Sequence, residues 1–125
     1  MDFKDCKILV CDDSILARKQ LKDVLSSAGF SNFIEAKNGQ MAIDLFKSEK
    51  PDLVFLDIVM PEVDGIEAVK QIMAHDSNAV IIMVSSVGTQ KQIKAALVEG
   101  AKDFIQKPFV ATQITNVIKK RVEGM

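Results

Sequence analysis

The chain has 125 residues, a net charge of −1, 48% hydrophobic and 26% charged residues, which suits one globular domain with a sizeable core. The near-neutral balance argues against a polyanion-binding protein, and the basic cluster Lys119, Lys120 and Arg121 has no aromatic residues among it, so it reads as a solvated helix face with no nucleic-acid partner. Two cysteines and one histidine give neither a disulfide framework nor zinc spacing, no apolar run reaches membrane-spanning length, and no secretory stretch opens the chain, so a cytoplasmic protein with no membrane span is expected.

Residues 7–11 (KILVC) are apolar on both faces, as a central parallel strand must be. Cys11 within that run is expected to be buried and Cys6, just ahead of it, partly exposed. Ala17, Leu21, Val24, Leu25 and Ala28 then recur at helical spacing, with Gly29 where a C-cap belongs. Residues 33–36 predict a short second strand. Asn38 and Gly39 open a helix whose buried stripe is Ala42, Leu45 and Phe46. Pro51 ends that region and residues 53–56 (LVFL) predict a third, buried strand. Beyond a loop holding Pro61, Asp64 and Gly65, the residues Val69, Ile72 and Met73 mark a helix, with His75 and Asp76 at its exposed end. Residues 80–84 (VIIMV) predict the fourth strand. Ile93, Ala96 and Leu97 give the fourth helix, capped by Gly100; residues 104–106 predict a fifth strand. Val110, Ile114, Val117, Ile118 and Val122 mark the closing helix.

Five βα units in succession predict an α/β domain whose parallel strands are covered by helices on both faces. Two open architectures fit, a Rossmann half and a flavodoxin-like doubly wound sheet of order 2-1-3-4-5. In open sheets of this kind ligands bind beyond the carboxyl ends of the strands. Strand one is followed by Asp12 and Asp13, strand three by Asp57, strand four by Ser85 and Ser86, and strand five by Lys107 and Pro108. Lys37, Asn38 and Gly39 after strand two read as turn chemistry. In the flavodoxin-like order strands one and three are neighbours, so three carboxylates converge with one hydroxyl and one ammonium. Two unit charges roughly 4 Å apart repel by about 4 kcal/mol at an effective dielectric near 20, so three need more than one lysine to offset them. Hard oxygen ligands with open positions suit Mg²⁺, which readily bridges to a phosphate. A carboxylate nucleophile, a cation, a lysine and a hydroxyl are the parts of a phosphoryl-transfer site.

The motifs CDDS with Asp12 and Asp13, FLDIVMPEVDG with Asp57, VSS with Ser85 and DFIQKPF with Lys107, in that order, resemble the response-regulator receiver family over essentially all 125 residues. The resemblance implies a flavodoxin-like (βα)5 fold and a single receiver domain over residues 1–125 with no output domain. It makes Asp57 the phosphoacceptor for a histidine kinase. Asp13, Asp57 and the Val59 backbone carbonyl match Mg²⁺ ligands, and Asp12 an acid acting largely through water. Ser85 and Lys107 match the groups that close on the phosphoryl group, Phe104 the switch aromatic, and Lys107-Pro108 a cis bond. The output surface implied is helix four, strand five and helix five. The protein is then a regulatory switch and not an enzyme in its biological role: a monomer signalling through a protein partner, in the manner of chemotaxis regulators that bind the flagellar switch. A stand-alone phosphorelay intermediate is the alternative.

Where the best-known chemotaxis members carry a tyrosine, this chain has Phe104, which offers no hydroxyl to a partner. Val59 and Val87 stand where many members carry polar residues that tune hydrolysis, and apolar side chains cannot orient an attacking water; a long-lived phosphoryl-aspartate is expected. Two other classes fit less well. A haloacid-dehalogenase-like phosphohydrolase wants a second acid at the position of Val59 and a larger body. A flavodoxin wants a phosphate-cradling loop after strand one, where Asp12 and Asp13 repel phosphate.

Overall fold

A computed structural model describes residues 5–60, 63–86 and 89–122. Five strands and five helices alternate among them: β1 (Ile8–Cys11), α1 (Ile15–Ser27), β2 (Phe33–Ala36), α2 (Gly39–Glu49), β3 (Leu53–Asp57), α3 (Gly65–His75), β4 (Ile81–Ser85), α4 (Gln90–Glu99), β5 (Asp103–Gln106) and α5 (Ala111–Val122). The strands pair in parallel in the order β2-β1-β3-β4-β5, which settles the choice of architecture for the flavodoxin-like one.

Side-chain alternation sorts each central strand between two cores. Leu9, Cys11, Val54, Leu56, Ile81 and Met83 face one side, where α2, α3 and α4 bring Ala42, Ile43, Phe46, Ala68, Val69, Ile72 and Ala96. Ile8, Val10, Leu53, Phe55, Ile82 and Val84 face the other, against Leu21 and Leu25 of α1 and Ile114 and Ile118 of α5. Every residue of β1, β3 and β4 is buried, as strands covered on both faces require; β2 and β5 are the edges and are only partly covered.

Local chemistry sets the helix starts. Ser14, Asn38 and Asp64 each turn a side-chain oxygen to accept a backbone N–H in the first turn of α1, α2 and α3. Gly100 ends α4 at φ 125°, a region unfavourable to other residues, with Met73 of α3 packed where a side chain would stand. At the end of α1, Ala28 is the cap and Gly29, at φ 101°, is the residue after it.

Several expectations need correction. Cys6 is fully buried, because the chain ahead of β1 folds under α1 and α5. Asp57 and Ser85 are the last residues of β3 and β4, not loop residues after them. In α4 only Ala96 is buried, while Leu97 is exposed and Val98 more so, because β5 is an edge strand and offers that helix little sheet to cover. Lys119 and Lys120 are solvated as expected, and Arg121 pairs with Asp103 at 3.2 Å. Pro61, Val87 and the Val122 side chain lie outside the described residues.

Phe55 fills the α1/α5 core with no exposure, whereas Val98 is 78% exposed. Phe55→Ala is expected to cost about 3–5 kcal/mol in urea unfolding and Val98→Ala less than about 0.5 kcal/mol.

Candidate phosphoryl-transfer site

Strand register brings the polar residues together. Cys11 pairs with Leu56, so Asp12, one residue on, comes level with Asp57 at the end of β3. Asp57 in turn pairs with Val84, and Ser85 with Gln106, which places Lys107 just beyond the end of β5. The Lys107 amide donates to the Ser85 carbonyl at 2.9 Å, and the Lys107-Pro108 peptide is cis, as the resemblance implied. All of this lies at the carboxyl end of the sheet, at the β1/β3 boundary where the chain reverses its direction of winding.

Carboxylate oxygens of Asp12, Asp13 and Asp57 lie within 4.8 Å of one another; Asp12 and Asp57 are buried and Asp13 is exposed. Asp12 is tied on both oxygens, accepting from the Ser14 amide at 2.9 Å and from Lys107 Nζ at 2.9 Å. Lys107 Nζ is 3.9 Å from Asp57, so its closer partner is Asp12. Burial pushes the Asp57 carboxyl up to about 7; Asp12 and then Asp13 push the same way, while Lys107 and the Val59 amide oppose them. The donor set fits a hard divalent cation: clustered carboxylates carry more negative charge than one ammonium offsets. Cys11 is no rival ligand. Burial, with Asp12 and Asp57 beside it, pushes its thiol up to about 12, and the protonated Sγ donates to the Asn38 carbonyl at 3.3 Å.

Ser85 is buried and its hydroxyl donates to the Ile105 carbonyl at 3.2 Å, away from the acids. Phe104 is 39% exposed on β5. Between them lies a groove of about 270 Å³ lined by Ser85, Ile93, Leu97 and Phe104 among others. Val59 is 57% exposed.

Three further residues carry no signal of their role in the sequence pattern. Gly65 packs its Cα against the Asp57 carbonyl and donates its N–H to the Ile58 carbonyl at 2.9 Å, so a side chain there would collide with β3 backbone. Gly39 packs in the same way on the Val63 carbonyl. The Asp-Gly and Asn-Gly pairs are legible as turn signals, but the close backbone approach is not. Thr89 is buried and donates to the Ser86 carbonyl at 2.7 Å instead of capping α4.

The family model described as the response regulator receiver domain matches residues 8–119, and the chain belongs to that family. It is a regulatory receiver of two-component signalling. Among its relatives, the chemotaxis protein CheY of Bacillus subtilis is 46% identical and that of Thermotoga maritima 43%, each over 91% of this chain and 95% of the relative. A solved CheX–CheY–BeF3–Mg complex from Borrelia burgdorferi superposes with a TM-score of 0.85 at 36% identity, covering 92% of this chain and 87% of that one.

The raised carboxyl of Asp57 has a sign that can be measured without metal. Its ordinary value is near 3.8 and its folded value about 7, so the folded state holds the proton more tightly. Its contribution to stability is present below about pH 4 and is lost as the pH rises through about 7. Asp57→Asn removes that loss. In chelator, urea unfolding is expected to show the variant more stable than the parent by about 2–4 kcal/mol at pH 8 and the difference shrinking towards pH 4.

Proposed function

We propose that Asp57 accepts a phosphoryl group from a histidine kinase in a Mg²⁺-dependent step, and that the new charge resets the α4–β5–α5 surface to control a partner protein in chemotaxis. The observation that carries this reading is the convergence of Asp12, Asp13, Asp57 and Lys107 at the ends of β1, β3 and β5. Kinship with CheY proteins supports the chemotaxis role and, with it, flagellar switch components as partners. No helix among the described residues is long and apolar enough to cross a membrane.

Asp12, Asp13, Asp57 and the Val59 carbonyl are the groups that would hold the ion. Bound Mg²⁺ would supply positive charge for the equatorial phosphoryl oxygens. An Asp57 oxygen attacks phosphorus of a phosphohistidine; the new P–O bond forms as the P–N bond breaks, and the imidazole leaves with a proton. Lys107 turns from Asp12 towards the phosphoryl group, and Ser85 rotates its hydroxyl from Ile105 to donate to it. That rotation frees the groove, and Phe104 moves from solvent into it. A local charge thereby selects between two packings of one surface, and the protein acts as a switch whose only substrate is itself.

Incubation with Mg²⁺ and acetyl phosphate is expected to add one phosphoryl group to the parent by intact mass and none to Asp57→Asn; equal labelling of the two would remove Asp57 from this role. Exposed Val59 beside the site gives no group to orient water. Val59→Asn is therefore expected to hasten decay of the phosphorylated protein several-fold, and an unchanged or slower decay contradicts that account. Phosphorylation-dependent capture of flagellar switch proteins tests the chemotaxis role.

A further inference from the structure

We propose that Arg18 is a positioning residue for the acid pair: it fixes the peptide joining Asp12 to Asp13 and so sets the direction in which both carboxylates are presented. This inference rests on the magnesium reading above.

Arg18 lies one turn into α1, and its side chain is only 12% exposed, unusual for so polar a group. Its Nη1 donates to the backbone carbonyl of Asp12, and its Nε donates to Glu35 Oε1 at 3.1 Å. Glu35, on β2, is held in turn by Lys22 Nζ at 3.0 Å on its second oxygen. The Lys22 and Arg18 bonds keep its carboxyl below the usual range against some burial, so the anchor stays charged.

Asp12 is therefore gripped at every polar atom. Its amide donates to the Ala36 carbonyl at 3.1 Å, its carbonyl accepts from Arg18, one carboxylate oxygen takes the Ser14 amide and the other takes Lys107. Two of these four ties run to β2, directly through Ala36 and indirectly through Glu35 and Arg18. The Asp13 amide group belongs to the same planar peptide as the Asp12 carbonyl. Freeing that carbonyl lets the plane rotate, and Asp13, which is exposed and for which no side-chain bond is seen among the described residues, is then held only from its far side, through the Ser14 amide on Asp12.

For replacement of Arg18 by a neutral residue, charge and position predict opposite outcomes, which makes the idea testable. A guanidinium near a cation site opposes the cation, so on Coulomb grounds alone its removal tightens Mg²⁺ binding. If Arg18 acts by position, its removal scatters the ligands and weakens binding. Outer partners of metal ligands are commonly worth 10–100-fold in affinity.

Calorimetric titration of Mg²⁺ into the full chain, at fixed ionic strength and without phosphodonor, reads the difference. Arg18→Met is expected to bind Mg²⁺ about tenfold more weakly than the parent. Arg18→Lys, which keeps the charge but cannot span Asp12 and Glu35 with one planar fork, is expected to fall short of the parent as well. Glu35→Gln leaves the guanidinium in place and loosens its anchor; a smaller loss in the same direction is expected. Thermal unfolding in chelator identifies the fraction folded in each variant. Equal or tighter binding by folded Arg18→Met overturns the proposal. Should that variant not fold, unchanged affinity in Glu35→Gln overturns it. A parent that takes up no Mg²⁺ removes the magnesium reading and this inference with it, an outcome distinct from a parent that binds and variants that bind equally well.

Discussion

Mutual repulsion among Asp12, Asp13 and Asp57 is the constraint on which the rest of the molecule turns. Left to themselves three carboxylates would not gather at one place, and burying two of them, Asp12 and Asp57, costs several kcal/mol each in lost hydration. Here the sheet imposes the gathering. β1 and β3 are paired in a fixed register, their four and five residues are all buried, and slipping either strand by one residue would exchange its side chains between the two cores, setting each against a helix layer it does not fit. The hydrophobic effect thus holds the acids together against their own field. The cost surfaces as the high proton affinity of Asp57 and as the committed bonds of Lys107 and Ser14 to Asp12.

On the proposed reading, that arrangement gives so small a domain the means to act as a switch. The repulsion is stored beside groups that have two possible partners. Lys107 stands 2.9 Å from one acid and 3.9 Å from another, and the Ser85 hydroxyl is satisfied by a backbone carbonyl that it can leave. Downstream of Ser85 the packing is thin: α4 buries little more than Ala96, and Phe104 sits half out on an edge strand. In the proposed switch, buried strands on one side and a lightly packed helix on the other would let a change of charge move the second without disturbing the first.

Much of this was legible in the sequence, for identifiable reasons. Apolar runs such as LVFL and VIIMV announce central strands, because only a strand covered on both faces can be apolar throughout. Helical spacing of apolar residues located the five helices, and the polar residues at the carboxyl end of each apolar run brought out Asp12, Asp13, Asp57, Ser85 and Lys107 together. Cys6 was misplaced because nothing in a single residue ahead of a strand reveals that two helices will close over it. Leu97 was misplaced because periodicity marks a helix face without saying how much sheet lies beneath. Gly39 and Gly65 escaped because they pack against backbone atoms of segments distant in the chain, where residue type carries no signal, and Arg18 because its bonds go to the Asp12 carbonyl and to Glu35 on another strand.

The two thiols have a use that their inertness makes possible. Cys6 belongs to the core under α1 and α5, and Cys11 to the core under α2, α3 and α4, with their protons held up to about 11 and about 12. Neither can react while its own layer is closed. Alkylation of each by a soluble maleimide is then a separate clock for the opening of one layer, so the native sequence already carries an independent reporter on either side of its sheet.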